Sequence, residues 1–384
     1  MRYYKLEFID PKTNAAPATL PPIYATFESH PNNLYNPACP EISFDCLITQ
    51  GNVAQNPFHI TLHNVPREML GQAQKFNALN VNLYAGFKSG LPLANPYQSG
   101  LIVSGTVQGC FGNWAGTNLT MDFLVNPLQY SGSPYLNLSA QVYSTTAQPY
   151  VFVWDPKLGN TFIQTLQTFF NTNFGYSCQG TLDADNEWRL NKMPPFKIVF
   201  STFDRFCKEL QTVTQSQNAP NKEAPSNKAN QRLTGNFQPY LGVLLSMSMT
   251  SGTVYAWDGT APATSELSLQ VQEFIGQPTW ISASGVIQSM HPMRADVHVT
   301  QSIAYPSNIS IIVPAQFTTA SQYAYFNGKN LKLYVQKVRH VGRYRDPNPN
   351  AWVTYIDASG GIRNNPKNNV NPSVTIGTIQ EIPQ

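Results

Sequence analysis

Between residues 80 and 126 the chain alternates apolar and polar residues three times over, in NVNLYAGF, GLIVSGTVQGCF and TNLTMDFLVN. The three runs are separated by segments rich in Gly, Pro, Asn and Ser. A period of two puts Val81, Leu83 and Ala85 on one face and Asn82 and Tyr84 on the other. Leu101, Val103 and Val107 repeat the pattern, as do Leu119, Met121, Phe123 and Val125. Such a pattern fits a sheet with one buried face and excludes a helical bundle. The same alternation occurs in MRYYKLEFID, at Ile42, Phe44, Cys46 and Ile48, and at Phe58, Ile60 and Leu62. Short strands at close intervals with turn residues between them predict a sandwich or barrel.

The period changes in TFIQTLQTFFNTNFG, where Phe162, Ile163, Leu166, Phe169 and Phe170 recur at helical spacing and Gly175 stands at the C-terminal cap position. A second helix is predicted in STFDRFCKEL, with Ser201 as N-cap, Asp204 in the first turn, and Phe203, Phe206, Cys207 and Leu210 on one face. Residues 214 to 236 have almost no apolar side chains and cannot offset the entropy of ordering, which reads as a polar insertion. Strands then resume: YLGVLLSMSMT and TVYAWDG as a hairpin, followed by GVIQSM, DVHVTQ, NISIIV, LKLYVQKV and WVTYIDA. The fold class predicted is mainly β (α+β), two β units around a small α/β unit. Its divisions fall at 1-132, 133-265, 266-362 and a polar C-terminal arm, 363-384.

Only 12% of the 384 residues are charged, the net charge is +3, and Asn and Gln together outnumber the charged residues. A surface of this kind can be covered by partners without desolvating many ions. It lacks the basic stripe of a nucleic-acid binder. No stretch approaches the roughly 18 apolar residues of a membrane span, and the N-terminus enters a strand pattern with no apolar leader. The expectation is a chain made in the cytoplasm with reduced, buried thiols at Cys39, Cys46, Cys110, Cys178 and Cys207, whose spacing fits neither a disulfide framework nor a zinc ribbon. The sequons at Asn118, Asn137 and Asn308 are then chance matches.

Catalytic and ligand motifs are lacking. His59 and His63 in a strand lie on the order of 13 Å apart along the backbone, too far for one metal. Asp183, Asp185 and Glu187 in LDADNEW resemble the start of a calcium loop, but Trp188 stands where Gly is needed and Pro194 where the bidentate Glu belongs. A polar turn is predicted there. No nucleophile elbow, phosphate loop or dinucleotide fingerprint occurs. The aromatic run Tyr323 to Phe326 is read as core or interface. No catalytic, cofactor-binding or metal residue is assigned, and the chain is read as a non-enzyme.

The run VNLYAGF, a loop, GLIVSGTVQG, a polar turn and TNLTMDFLVNP resembles the first barrel of the baseplate hub proteins of tailed bacteriophages. EFIGQPTW followed by GVIQSMHPMRADVHV is similar to that family's second barrel, and LYVQKVRHVGRYRDPNPNAWVTYIDA to its closing hairpin. The departures are the insertion at 214 to 236, the Pro-rich loop at 91 to 97, and Ala295 where Gly is common. The resemblance implies two tube-type barrels per chain, and a homotrimer forming a pseudo-six-fold ring between a hexameric tail tube and a trimeric central spike. Implied partners are tail tube proteins, the spike protein and other baseplate proteins. DNA would pass through the channel without specific binding, and there would be no stable membrane insertion. The implied location is the virion tail baseplate, assembled in the host cytoplasm. Ring-forming strands are expected at 81 to 85, 101 to 108, 119 to 125, 331 to 340 and 352 to 358. The alternative from composition is a peripheral tail receptor- or carbohydrate-binding protein, and a third is a stand-alone β-sandwich binding module. Deleting residues 216 to 232 is expected to leave the melting temperature unchanged within a few degrees, because loop closure varies slowly with length; loss of soluble protein would show that the segment packs on the body.

Overall fold

The structure is a computed structural model. It describes residues 1–10, 23–49, 57–88, 98–126, 150–174, 176–182, 184–201, 203–215, 242–247, 253–257, 265–281, 286–299, 301–306, 309–313, 322–325 and 331–359. The fold is mainly β. In chain order the first strands are β1 (Arg2–Ile9), β2 (Ile23–Glu28), β3 (Glu41–Thr49), β4 (Phe58–His63), the one-turn helix α1 (Arg67–Leu70), β5 (Asn80–Phe87), β6 (Gly100–Ala115) and β7 (Asn118–Asn126). A middle unit follows: β8 (Tyr150–Trp154), α2 (Phe162–Phe174), β9 (Ser177–Thr181), α3 (Ala184–Asn191), β10 (Phe196–Phe200), α4 (Phe203–Gln215), β11 (Leu244–Met247) and β12 (Thr253–Trp257). The last group is β13 (Glu266–Ser268), β14 (Thr279–Trp280), β15 (Val286–Pro292), β16 (Ser302–Tyr305), β17 (Ser310–Val313), β18 (Gln322–Tyr325), β19 (Leu331–Arg343) and β20 (Trp352–Ser359).

The first and last groups form one 15-stranded sheet, ordered β18-β17-β14-β15-β20-β19-β3-β4-β7-β6-β5-β1-β2, with β16 also paired to β19 and β13 to β16. The period-two pattern sets its faces. Tyr4, Leu6 and Phe8 of β1, and Ile42, Phe44 and Cys46 of β3, all turn into the core. So do Ile60 and Leu62 of β4, and Met121, Phe123 and Val125 of β7. Phe8, Phe76 and Phe123 meet with centroids 4.9 to 5.6 Å apart at the centre of the first half's core. One core cluster runs through both halves, from Tyr4 to Ala358.

The middle unit has its own core. Helices α2 and α4 bury Phe162, Leu166, Phe170, Phe203, Phe206 and Leu210 with Phe152 of β8 and Phe200 of β10. Strands β8 and β10 pair antiparallel, and β12 pairs antiparallel with β11 and parallel with β9. The unit meets the large sheet where Trp257 stacks on Tyr334 at 6.1 Å, beside Leu244.

Three expectations need correction. LDADNEW is a helix in its described part, not a polar turn: α3 buries Leu190, and Asn191 Oδ1 accepts the Phe162 N–H at 2.7 Å, so the first turn of α2 is capped from α3. DVHVTQ is not a strand in its described part. Val297 and Val299 are buried, but the His298 N–H donates to Gln301 Oε1 at 3.0 Å, which turns the chain, and β16 begins at Ser302. The polar insertion does not begin at 214, since Thr214 belongs to α4, is buried, and accepts the Val243 N–H at 2.8 Å. The rest of the insertion lies outside the described residues, as do Gly175, Asp183, the loop at 91 to 97, Phe326 and the arm at 363–384.

Two glycines of the first half are held by close approach. A Cβ on Gly105 would lie 2.2 Å from the Asn126 carbonyl oxygen across the β6–β7 pair. Gly86 has φ +148, and a Cβ there would lie 2.6 Å from Ser99 Cα. Gly116, in the β6–β7 turn at φ +60, has open space around it. Gly105→Val is therefore expected to cost roughly 3 kcal/mol or more in urea unfolding, against about 1 kcal/mol for Gly116→Ala; equal costs would show that β6 and β7 can separate at Gly105.

Candidate functional site

The strands expected to build a wall are β5, β6 and β7 of the first half and β19 and β20 of the second. The structure places each set side by side, and β4 and β3 join the two sets into one surface. Strand order repeats between the halves. The first reads β1-β5-β6-β7-β4-β3 and the second β13-β16-β19-β20-β15-β14. Ranked by chain position, both orders are first, fourth, fifth, sixth, third, second. The pairings β5–β6, β6–β7, β7–β4 and β4–β3 are antiparallel, and so are their counterparts β16–β19, β19–β20, β20–β15 and β15–β14. The halves differ at the end, where β1–β5 is antiparallel and β13–β16 parallel, and in the additions β2 and β17–β18. A register shift falls at the same place in both hairpins: between Val107 and Gly109 of β6 at Gln108, and between Val335 and Lys337 of β19 at Gln336. A bulge sets register and local twist, so the shared position extends the likeness to single residues.

Aligning the halves on these bulges shows how their cores diverge. Ile60 lies opposite Phe123 and Leu62 opposite Met121; in the second half Ser289 lies opposite Ile356 and His291 opposite Thr354. All eight are buried. The polar residues satisfy one another. Glu273 O can only accept, so His291 Nδ1 donates to it at 2.8 Å. Its Nε2 then accepts the Ser289 hydroxyl at 2.8 Å, whose oxygen receives the Tyr305 hydroxyl at 2.7 Å. His340 Nδ1 lies 2.9 Å from Thr354 Oγ1, which also receives the Arg294 N–H at 3.1 Å. Burial pushes both histidines down to about 3; Arg294 adds to the effect at His291 and His298 at His340, while the Glu273 carbonyl and Asp296 oppose it at His291.

The halves are tied by specific contacts. Residues Lys337 to Arg343 of β19 pair with Thr49 to Ser43 of β3. The buried Trp352 packs against Phe44 at 5.3 Å and donates its indole N–H to the Gly86 carbonyl at 2.9 Å. The buried Arg294 makes a two-pronged contact with Asp296 at 2.7 and 2.8 Å and lies 3.7 Å from Glu273, which accepts from Gln98 at 3.2 Å. The Ala295 N–H donates to the Gln98 carbonyl at 2.9 Å, so the departure at Ala295 sits at a contact between halves. On the outer face Arg339 pairs with Asp45, and at the start of β1 the Arg2 guanidinium gathers the carbonyls of Arg343, Tyr344, Asp346 and Asn348.

His59 and His63 point to the outer face of β4, and His63 Nε2 is 2.9 Å from Ser43 Oγ. Among the described residues no group of three or more His, Cys, Asp or Glu could hold a metal ion. No helix among them is long and apolar enough to cross a membrane. All five cysteines are free and buried; burial pushes Cys110 and Cys178 up to about 12 and holds Cys46 and Cys207 well above the usual thiol range. The buried polar network of the second half was missed from sequence. Its signal was polar residues at inward positions of an alternating strand, as in VIQSMHP.

No family model matches the chain, and no curated protein matches it. Among solved structures it is similar to the Escherichia coli c3393 protein, a component of the type VI secretion system described as structurally similar to the T4 bacteriophage tail proteins gp27 and gp5. That likeness has 8% identity and a TM-score of 0.41, covering 83% of this chain and 73% of that one. It is also similar to the 43 kDa tail protein of prophage MuSo2 from Shewanella oneidensis, with 7% identity and a TM-score of 0.41, covering 93% and 97%. A tail protein from Neisseria meningitidis aligns with 7% identity and a TM-score of 0.37, covering 83% and 91%.

The buried histidines give the second half an acid dependence. Their folded pKa is depressed below the unfolded value, so the stability they contribute is complete above about pH 6.5. It is lost progressively as the pH falls toward 3, because the unfolded chain takes up protons that the fold excludes. The unfolding free energy from urea titration is expected to fall steeply between pH 6.5 and 4, by on the order of 3 kcal/mol per histidine at pH 4, and His291→Leu, which installs the residue found at the matching Leu62, should flatten that slope. An unchanged slope would show that the carboxylates alone set it.

Proposed function

We propose that the chain is a structural baseplate hub protein of a phage tail or a related injection particle. Three copies would form a pseudo-six-fold ring joining the hexameric tail tube to the trimeric central spike. The observation that carries this reading is the repeated strand order, with its shared bulge at Gln108 and Gln336. A six-fold tube presents six similar edges, and three chains satisfy all of them only if each offers two similar surfaces. Sequence likeness between the halves is not required, because alternation and register are enough to specify such strands.

On this reading residues 1-132 and 266-362 are the tube barrels, 133-265 is an intermediate domain, and 363-384 is an arm. The wall residues are scaffold, with no catalytic, cofactor or metal role. The partners are tail tube proteins, the spike and other baseplate proteins, and DNA crosses the channel without specific contacts. The site of action is the virion baseplate, assembled in the host cytoplasm. Particle averaging of the purified chain, alone and with its tube protein, tests the reading. The expected image is a three-fold ring with six similar lobes around a channel; a monomer at every concentration, or a ring in which one half lies at the periphery, would return the chain to the peripheral-binder reading.

A further inference from the structure

The repeat leaves one position filled in the second half and open in the first. Alignment on the bulges places Cys110–Ala115 of β6 on Val338–Arg343 of β19. In β19 that stretch is paired on both edges, with β20 on one side and β3 on the other. In β6 it pairs with β7 on one edge, while β5 reaches only Gly100 to Thr106. The Cys110 N–H donates to Asn77 Oδ1 at 2.8 Å, so it points away from β7. By strand alternation the N–H groups of Gly112 and Trp114 point the same way. Among the described residues no strand receives them. Residues 109 to 116 carry no charge, Phe111 is 60% and Trp114 58% exposed, and the Arg67 guanidinium lies 4.3 Å over the Trp114 ring.

Resting on the ring reading above, we propose that the Gly112–Ala115 edge of β6 is the seat for a second copy of this chain. A strand from the second-half end of that copy's sheet adds antiparallel to β6, as β3 adds to β19 within the chain. The occupant is a second copy because the chain already makes one junction of this kind, second half to first half, at the matching position of β19; β14, the counterpart of β3, is covered by β17, so the strand offered at that end is β18. Repeating it between chains alternates the two kinds of half around a closed path. Such a contact is heterologous and closes into a ring when the rotation allows. An exposed, uncharged edge is otherwise a liability for strand addition. At the far end of the same sheet the terminal strand β18 (QYAY) is also uncharged, so joining the ends desolvates no ion there.

The test uses the full chain. Trp114→Pro removes one outward N–H and leaves the pairing with β7 in place. Sedimentation should show association weakened roughly tenfold or more, with the circular dichroism spectrum unchanged. Because all native thiols are buried, Ala115→Cys supplies one reactive thiol on this edge and Leu158→Cys one on the middle unit. Maleimide labelling of Ala115→Cys should slow roughly tenfold above the association concentration, while Leu158→Cys labels at one rate throughout. If Trp114→Pro fails to fold, the labelling rates decide. A three-fold ring whose Ala115→Cys labels as fast as Leu158→Cys would overturn the seat and leave the ring standing; a wild-type chain that never self-associates would overturn both.

Discussion

The antiparallel pair between β3 and β19 makes one sheet of two halves whose strands lie about 290 residues apart in sequence. Closing so long a loop is entropically costly, though the cost grows only slowly with length. The pair is held by more than its ladder. Val338 and His340 of β19 and Cys46 of β3 are buried. A Cβ on Gly342 would meet the Phe44 ring at 2.2 Å, so the ring lies directly over the glycine. Trp352 fills the space beside it and reaches the Gly86 carbonyl. The exposed Arg339–Asp45 pair on the other face adds little, as solvent-screened ion pairs do.

Two similar halves need not have similar cores. Where the first half places Ile60, Leu62 and Met121, the second places Ser289, His291 and Thr354, all buried and all bonded. An apolar core tolerates small displacements. A hydrogen-bonded one specifies its geometry more narrowly and is costly when any member is lost. The second half also carries Arg294, whose charge is balanced by Asp296 and Glu273 and whose backbone neighbour Ala295 touches the first half at Gln98. The junction and the polar core therefore share β19, β20 and the segment between β15 and β16.

Much of the fold was legible in the alternation itself. Nearly every strand expected in the first third is present with its predicted inward face, because each buries its own apolar side and needs no distant information. The two longer helices were legible for the same reason. The misreadings came where distant partners decide. LDADNEW looks like a turn until α2 requires Asn191 as its cap, and DVHVTQ looks like a strand until Gln301 turns it. The buried histidines were signalled only by polar residues at alternate positions of VIQSMHP, and alternation by itself does not say whether a face carrying Ser and His is the buried one.

What the sequence alone determined is the class of the fold, the faces of its strands and the low charge of its surface, all of which follow from local periodicity and composition. Which strands are neighbours was decided only by tertiary structure. The equivalence of GLIVSGTVQ with LKLYVQKVR rests on their common place in the strand order and on a bulge at the same position. A strand's periodicity records which of its faces is buried but not what lies along its edges. Pairing is made by backbone groups that every residue carries, so the edge of β6 that stays open while that of β19 is closed is visible only in the folded sheet.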